Sequence, residues 1–128
     1  MRHLAAVATL STLAFTSAAS AGEWSLADSN AEFQRVDDRA VFVDLMEQGT
    51  LKRFGIRLKV EPDGSIQGRA FGRKVTGAWD WREGYFCRDL SWGQREIAAN
   101  CQEVRVSGRF VRFTSDQGQG RYADLRID

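Results

Sequence analysis

Short segments in which apolar and polar residues alternate, separated by turn residues, constrain this chain more than any other feature. In FGIRLKV, residues 54–60, every second residue is apolar. Because successive side chains of a β-strand point to opposite faces, this alternation predicts a strand with one buried face. Comparable segments predict seven strands in all, at residues 54–60, 66–70, 75–81, 85–92, 101–106, 110–114 and 122–127.

The turn residues between the first two strands predict how they pair. Pro62 presets a type I turn, and Gly64 can take the left-handed position of a three-residue hairpin loop. A two-residue Asp-Gly turn would instead mix apolar and polar faces, so we favour the longer loop. The predicted cross-strand pairs are Val60 with Ile66, Leu58 with Gly68, and Ile56 with Ala70.

The segment WDWREGYFCRDLSW, residues 79–92, contains three of the four tryptophans of the chain. A two-residue loop at Glu83-Gly84 separates apolar from polar side chains better than a three-residue loop does. This register places the cationic side chain of Arg88 on the tryptophan-rich face. The predicted pairs are Trp81 with Phe86, Trp79 with Arg88, Gly77 with Leu90, and Val75 with Trp92.

One helix is predicted before the strands, at about residues 37–48. Asp37 or Asp38 can cap its N-terminus, where carboxylates meet unpaired backbone N–H groups. Its apolar residues recur at helical spacing, so the helix should cover an open end or an edge of the sheet. They are Val41, Phe42, Leu45 and Met46.

These elements together predict a mainly β fold. An N-terminal helix is followed by an antiparallel meander of about seven strands, which forms a small or partly open barrel. Four glycines are expected inside strands, where they permit the bends that barrel closure needs: Gly55, Gly68, Gly72 and Gly77. We expect residues 22–128 to form a single β-rich domain with strands from about residue 51 and with no internal repeat.

Residues 1–21 have the pattern of a cleaved secretory signal peptide. Arg2 precedes an apolar run, and Ala19-Ser20-Ala21 supplies the small side chains that a signal peptidase accepts. The run is too short for a helix that crosses a bilayer of roughly 30 Å. We therefore expect a periplasmic or secreted protein, without a membrane span once 21 of its 128 residues are removed.

Two residue types limit the chemistry of the exported chain. Its only histidine, His3, leaves with the signal peptide, so nucleophile–imidazole systems and His-ligated metal sites are not expected. Cys87 and Cys101 are its only cysteines, and in an oxidising compartment they should form one disulfide. We predict no metal, no cofactor and no catalytic residue, and we expect a monomer.

The charge of the exported chain is balanced. Loss of Arg2 leaves 17 Lys and Arg against 17 Asp and Glu, which argues against a nucleic-acid ligand. Several arginines alternate with aromatic residues, and we interpret them as the solvent-facing residues of strands. They are Arg69, Arg73, Arg109, Arg112 and Arg121. Asp80 and Asp89 lie near one another on the outward face of the predicted hairpin, where such acids usually form solvated ion pairs.

The tryptophan-rich face is the candidate ligand-binding site, with two interpretations. Small barrels need large side chains to fill their interior, so its residues can be core alone. Alternatively, the aromatics form the walls of a pocket for an apolar group, and Arg88 binds the anionic end of the ligand. The candidate residues are Trp79, Trp81, Phe86, Arg88 and Trp92.

The segments LKRFGIRLKV, GRAFGRKVTGAWDW, GYFCRDLSW, NCQEV and RFTSD resemble a family of short exported bacterial proteins of unknown function. Some of its members are catalogued as dihydrodipicolinate reductase, which would imply a cytoplasmic nucleotide-binding enzyme. That enzyme has a glycine-rich strand–helix turn and a His-containing catalytic motif, and neither occurs here. More loosely, the chain is similar to lipocalin-like barrels and periplasmic protease inhibitors. The latter resemblance implies a blocking trunk at residues 22–31 or a blocking loop at residues 117–120.

Our leading hypothesis is an exported, non-enzymatic binding module for a small apolar or anionic ligand. The alternative is a periplasmic inhibitor or an envelope protein-interaction module that acts through its surface. Reductase activity is a third hypothesis and has only the family label in its support.

Overall fold

The computed structural model describes residues 33–128. The predicted signal peptide at residues 1–21 and the predicted trunk at residues 22–31 lie outside the described residues. The described part contains one α-helix, nine strands and a short 3₁₀ helix at Asp116–Gly118. In chain order the α-helix and strands are β1 (Gln34–Val36), α1 (Arg39–Glu47), β2 (Leu51–Arg53), β3 (Ile56–Val60), β4 (Ser65–Ala70), β5 (Arg73–Arg82), β6 (Tyr85–Trp92), β7 (Arg95–Ser107), β8 (Phe110–Thr114) and β9 (Tyr122–Ile127).

Strands β2 to β9 form a closed antiparallel barrel of eight strands. Consecutive strands pair from β2 to β9, and β9 pairs back with β2. Strand β1 lies outside this ring. Its residues Gln34–Val36 pair with the C-terminal half of β7. The mainly β architecture is confirmed, but the predicted seven strands and partly open barrel are not.

The prediction did not give the correct extent of strands β2 and β7, where the sequence carries no alternating pattern. Leu51–Arg53 is a separate strand because the chain turns at Gly55, whose φ is 74°, and it closes the barrel by pairing with β9. Strand β7 begins at Arg95, not at residue 101, and residues 95–99 are exposed on both faces. A segment that buries neither face has no reason to alternate, so periodicity cannot detect it.

Both predicted hairpin registers are confirmed. Val60 pairs with Ile66 across the first turn, and Trp79 pairs with Arg88 across the second. Glu83 and Gly84 both have positive φ, of 52° and 84°, as a two-residue type I′ turn requires.

Two of the four glycines predicted inside strands lie there for a steric reason. A Cβ at Gly68 would lie 2.0 Å from the carbonyl oxygen of Arg57, and one at Gly77 would lie 2.2 Å from that of Asp89. Gly55 and Gly72 were assigned wrongly, because both occupy turns, with φ of 74° and 78°.

Helix α1 covers one end of the barrel. Asp38 caps it by accepting a hydrogen bond from the Ala40 amide at 2.7 Å. Phe42 and Met46, which are one helical turn apart and so lie on the same face of the helix, are buried. Val41 is 49% exposed, contrary to the prediction, because it does not lie on that face. Lys59 on β3 ties the helix to the barrel by donating to the Met46 carbonyl at 3.2 Å.

The two ends of the barrel therefore differ. We call the end under α1, where β3–β4 and β5–β6 turn, the helix end. The opposite end, where β2–β3, β4–β5 and β6–β7 turn, is the open end. Among residues 33–128, no helix has the length and apolar character needed to cross a membrane.

Candidate functional site

An aromatic cluster fills the helix half of the barrel interior. Phe42 lies at its centre, with ring centroids 5.3 Å from Trp79, 5.0 Å from Trp81 and 4.9 Å from Phe86. Trp79 is 6% exposed. Its indole N–H donates to the Glu61 carbonyl at 2.8 Å, so its polar atom is satisfied inside the fold. These contacts place Trp79 in the core beneath α1.

Trp81 lies at the edge of the same cluster. It is half-buried, stacks on Phe42, and donates its indole N–H to the carbonyl of Asp37 at 3.3 Å. Asp37 precedes the helix cap. Trp81 therefore fastens the start of α1 to β5 and, like Trp79, is separate from the cavity described next.

A cavity of about 140 Å³ lies inside the barrel beside this cluster, and Phe86 belongs to both. Of the five predicted site residues, Phe86 and Arg88 line it. The remaining lining is apolar except for Gln102. Sequence reasoning did not single out these other lining residues: Leu51, Leu58, Val60, Ile66, Leu90, Gln102, Phe113, Ala123 and Leu125.

The cavity faces the open end. Along β3, Val60 is buried and Leu58, nearer the open end, is half-buried. The same gradient runs along β6, where Phe86 is buried and Leu90 is half-buried, and along β9 from Leu125 to Ala123. A ligand would therefore enter from the end that α1 does not cover.

Arg88 is the one cation on the cavity wall. Its Nη1 donates to the Ala98 carbonyl at 2.9 Å, at the point where a bulge interrupts the pairing of β6 with β7. Among the ion pairs formed by residues 33–128, none includes Arg88. Burial lowers the pKa of its guanidinium, and the nearby charge of Asp89 acts in the opposite direction. The site thus holds a partly desolvated cation whose hydrogen-bond partner is a neutral carbonyl.

Trp92 lies apart from the cavity lining, near the open end. It pairs with Val75, and its indole N–H donates to the carbonyl of Ala70 at 2.7 Å. The guanidinium of Arg73 lies 4.7 Å from the ring centroid of Trp92. The five predicted residues therefore share one face of the hairpin but occupy three places along it: helix-end core, cavity wall and open-end rim.

The cysteine pair is bonded, as predicted. Cys87 and Cys101 are direct cross-strand partners on β6 and β7, with an S–S distance of 2.09 Å. Their Cα atoms are 3.9 Å apart. The span between them is the β6–β7 hairpin. The disulfide is compatible with an oxidising, exported compartment.

The outer face of β5 to β7 carries a wider depression of about 380 Å³ beside the disulfide. The predicted solvated ion pair is found for Asp80 but not for Asp89, which bonds to the backbone. Asp80 pairs with Arg82 at 3.0 Å, and Asp89 accepts a hydrogen bond from the Ala78 amide at 3.1 Å. Within residues 33–128, no group of three or more His, Cys, Asp or Glu side chains is placed to hold a metal ion.

The arginines that interleave with aromatics lie on the outside of the barrel. Arg69, Arg73, Arg109 and Arg121 are exposed, as predicted. Arg112 is half-buried instead, because it forms two hydrogen bonds with Asp124, at 2.8 and 3.0 Å. Those bonds raise the pKa of Arg112 above its ordinary value.

The resemblances to a family of short exported bacterial proteins and to lipocalin-like barrels stay predictions. Small antiparallel barrels host many unrelated functions, so the architecture by itself assigns no activity. No protein-family model, no curated protein and no solved structure matches the chain.

Proposed function

We propose that this protein is an exported, non-enzymatic binding protein whose barrel holds a small apolar carboxylate, with Arg88 as the partner of the anionic group. The observation that carries the proposal is a half-buried guanidinium, outside every ion pair of residues 33–128, on the wall of an apolar cavity. The N-terminal signal pattern and the disulfide support export.

The charge of Arg88 favours an anionic ligand. A cation that is partly removed from water loses hydration that one neutral carbonyl replaces only in part. A carboxylate would offer two acceptor oxygens to the planar guanidinium and would form the stronger, charge-assisted hydrogen bonds. Gln102, the other polar residue of the lining, could orient the same group with its side-chain amide.

The size of the cavity limits the apolar part of the ligand. An engineered cavity of about 150 Å³ in another protein takes up one benzene molecule. At about 140 Å³, this cavity suits a body of similar size, such as the ring of benzoate or a short acyl chain. Drug-sized ligands occupy pockets of about 300–1,000 Å³, so a long-chain fatty acid would leave most of its chain outside.

Replacement of Arg88 by Met tests the anion partner. Met keeps an unbranched apolar stem and removes the charge. We expect the free energy of unfolding to stay within about 1 kcal/mol of wild type. The variant loses the hydrogen bond to Ala98, but it also no longer has the desolvation cost of a partly buried cation. Calorimetric titration with benzoate and hexanoate should show binding to wild type and a loss of at least about tenfold in Arg88→Met.

The matched controls are a variant and a ligand. Arg57→Met removes an exposed arginine from β3 and should bind like wild type. Benzamide and hexanol have the apolar bodies without the charge and should bind much more weakly than the acids. Equal binding of acid and amide, or full affinity in Arg88→Met, would contradict the proposed role of Arg88.

We also expect no binding of NADPH, in contrast to the reductase hypothesis. Dinucleotide phosphates bind at a helix N-terminus after a glycine-rich turn. Helix α1 begins after Asp37 and Asp38, and the Asp38 carboxylate already accepts from the Ala40 amide. A fluorescence titration of NADPH should therefore show no saturable signal, and micromolar saturation would revive the reductase hypothesis.

A further inference from the structure

We propose that the open end of the barrel docks onto an anionic phospholipid surface, through exposed phenylalanines flanked by arginine and lysine. The surface consists of residues 53–55, 69–74 and 92–95, which we call the three-turn patch. The proposal does not depend on whether the cavity binds a ligand.

The three turns of the patch contact one another. The Phe71 amide donates to the Gly55 carbonyl at 2.7 Å, and the Phe71 ring lies against Gly55, where an added Cβ would be 2.5 Å from Cε1. The Gly93 amide donates to the Lys74 carbonyl at 2.8 Å. The patch is therefore one continuous surface.

Two aromatic side chains project from the patch into solvent. Phe54 is 92% exposed and Phe71 is 62% exposed. Phe71 also has a φ of 50°, a left-handed conformation that a bulky residue adopts only at a cost. Strained backbone conformations of this kind are concentrated at functional sites. Here the strained residue exposes an apolar ring that is not part of the core.

The charges of the patch have one sign. Its three segments contain five exposed cations and no acid: Arg53, Arg69, Arg73, Lys74 and Arg95. Among the ion pairs of residues 33–128, none includes any of these five. The remaining connection at the open end, residues 115–121, adds Asp116 and Arg121, so the positive excess remains.

The helix end has the opposite charge. Its exposed acids are Asp37, Asp38, Asp44, Glu47, Asp63 and Glu83, and its exposed cations are Arg35, Arg39, Arg82 and Arg109, which leaves an excess of acids. The charge is thus polarised along the barrel axis, with a clear positive excess at the open end and a smaller negative excess at the helix end. An anionic surface would attract the open end and repel the helix end, which would present the patch to that surface.

The phenylalanines favour a lipid surface over a soluble polyanion. Duplex nucleic acids and charged glycans are bound mainly through cations, and their phosphate or sulfate contacts need no projecting apolar ring. An interfacial lipid site combines both features, because apolar side chains enter the headgroup–acyl boundary while cations bind anionic headgroups. The two rings stand at turn tips, where they can enter a membrane interface together.

The test uses sedimentation of the purified exported protein with vesicles. One vesicle preparation is phosphatidylcholine alone, and the other contains equal parts of phosphatidylcholine and phosphatidylglycerol. We expect binding to the anionic vesicles, weak binding to the neutral ones, and loss of binding as salt is raised.

One double variant separates membrane binding from folding. Phe54→Ser/Phe71→Gly should bind at least about tenfold more weakly. Its thermal stability should be equal or higher, because Phe54 contributes little to packing and glycine relieves the left-handed strain at Phe71. Val41→Ser removes an exposed apolar side chain from the helix end and should bind like wild type.

A second double variant tests the cations. Arg53→Gln/Lys74→Gln should bind about tenfold to thirtyfold more weakly, at about fivefold per cation near an anionic surface. Arg82→Gln/Arg109→Gln removes the same charge outside the patch and should have little effect. Absence of binding to anionic vesicles at low salt, or unchanged binding in the phenylalanine variant, would overturn the proposal. Binding of heparin or double-stranded DNA without vesicle binding would also overturn it.

Discussion

Replacement of Trp79 by Ala is expected to lower the free energy of unfolding by about 3–5 kcal/mol, the range for large-to-small aromatic changes in a core. Trp79 is 6% exposed and packs against Phe42 and Phe86. The variant would leave a void beneath α1 and remove the hydrogen bond from the indole N–H to the Glu61 carbonyl, which would keep only its bond from the Gly64 amide. Urea denaturation followed by far-UV circular dichroism measures the loss.

Trp92→Ala is the matched control on the same face of the hairpin. Trp92 is half-buried near the open end, so its loss should cost less than half as much as that of Trp79. A Trp79→Ala variant with nearly wild-type stability would show that Trp79 is not part of the core, and would return it to the list of pocket residues.

Removal of the disulfide is the second large effect that we expect. The bond joins residues separated by 14 positions, and closing a loop of that size stabilises a fold by about 3 kcal/mol in the chain-entropy model. The Cys87→Ala/Cys101→Ala variant should lose that amount in urea denaturation. Alanine is preferred to serine because Cys87 is buried and a hydroxyl there would need a hydrogen-bond partner.

Reductant supplies the control for this prediction. Dithiothreitol should lower the stability of the wild-type protein to that of the double variant and leave the double variant unchanged. Labelling of both thiols in folded protein from the envelope would show that the bond does not form in the cell.

The tryptophan-rich face combines core packing with part of a cavity wall. The helix-end portion, with Trp79 and Trp81, packs as core against Phe42. The middle portion, with Phe86 and Arg88, lines a cavity. One strand can serve both purposes because α1 covers only one end of the barrel. Core packing and cavity therefore follow one another along the same hairpin.

The hairpins could be predicted because their information is local. The loop at Glu83-Gly84 and the alternation on either side of it determine that Trp79 faces Arg88. The same reasoning applies to Val60 and Ile66, across the Pro62-Asp63-Gly64 turn. It also places Cys87 and Cys101 on strands that can become neighbours. A hairpin register shifted by one residue would turn the apolar side chains of one strand towards solvent. Few other registers keep the apolar side chains of both strands on the buried face.

Barrel closure, the cavity and the charge polarity were decided by the tertiary structure. Closure depends on the pairing of Leu51 with Ile127, residues near opposite ends of the described chain, and no local pattern specifies such a partner. The cavity exists because side chains from several strands leave space between them, a property of packing that periodicity does not contain. The polarity arises because an antiparallel meander collects alternate turns at one end, so that Arg53, Arg73 and Arg95 become neighbours in space. The sequence alone determined which side chains of most strands face inward, because the alternation of apolar and polar residues along a strand shows which face is buried. Which inward side chains contact one another was determined only by the tertiary structure, when the strands closed into a ring.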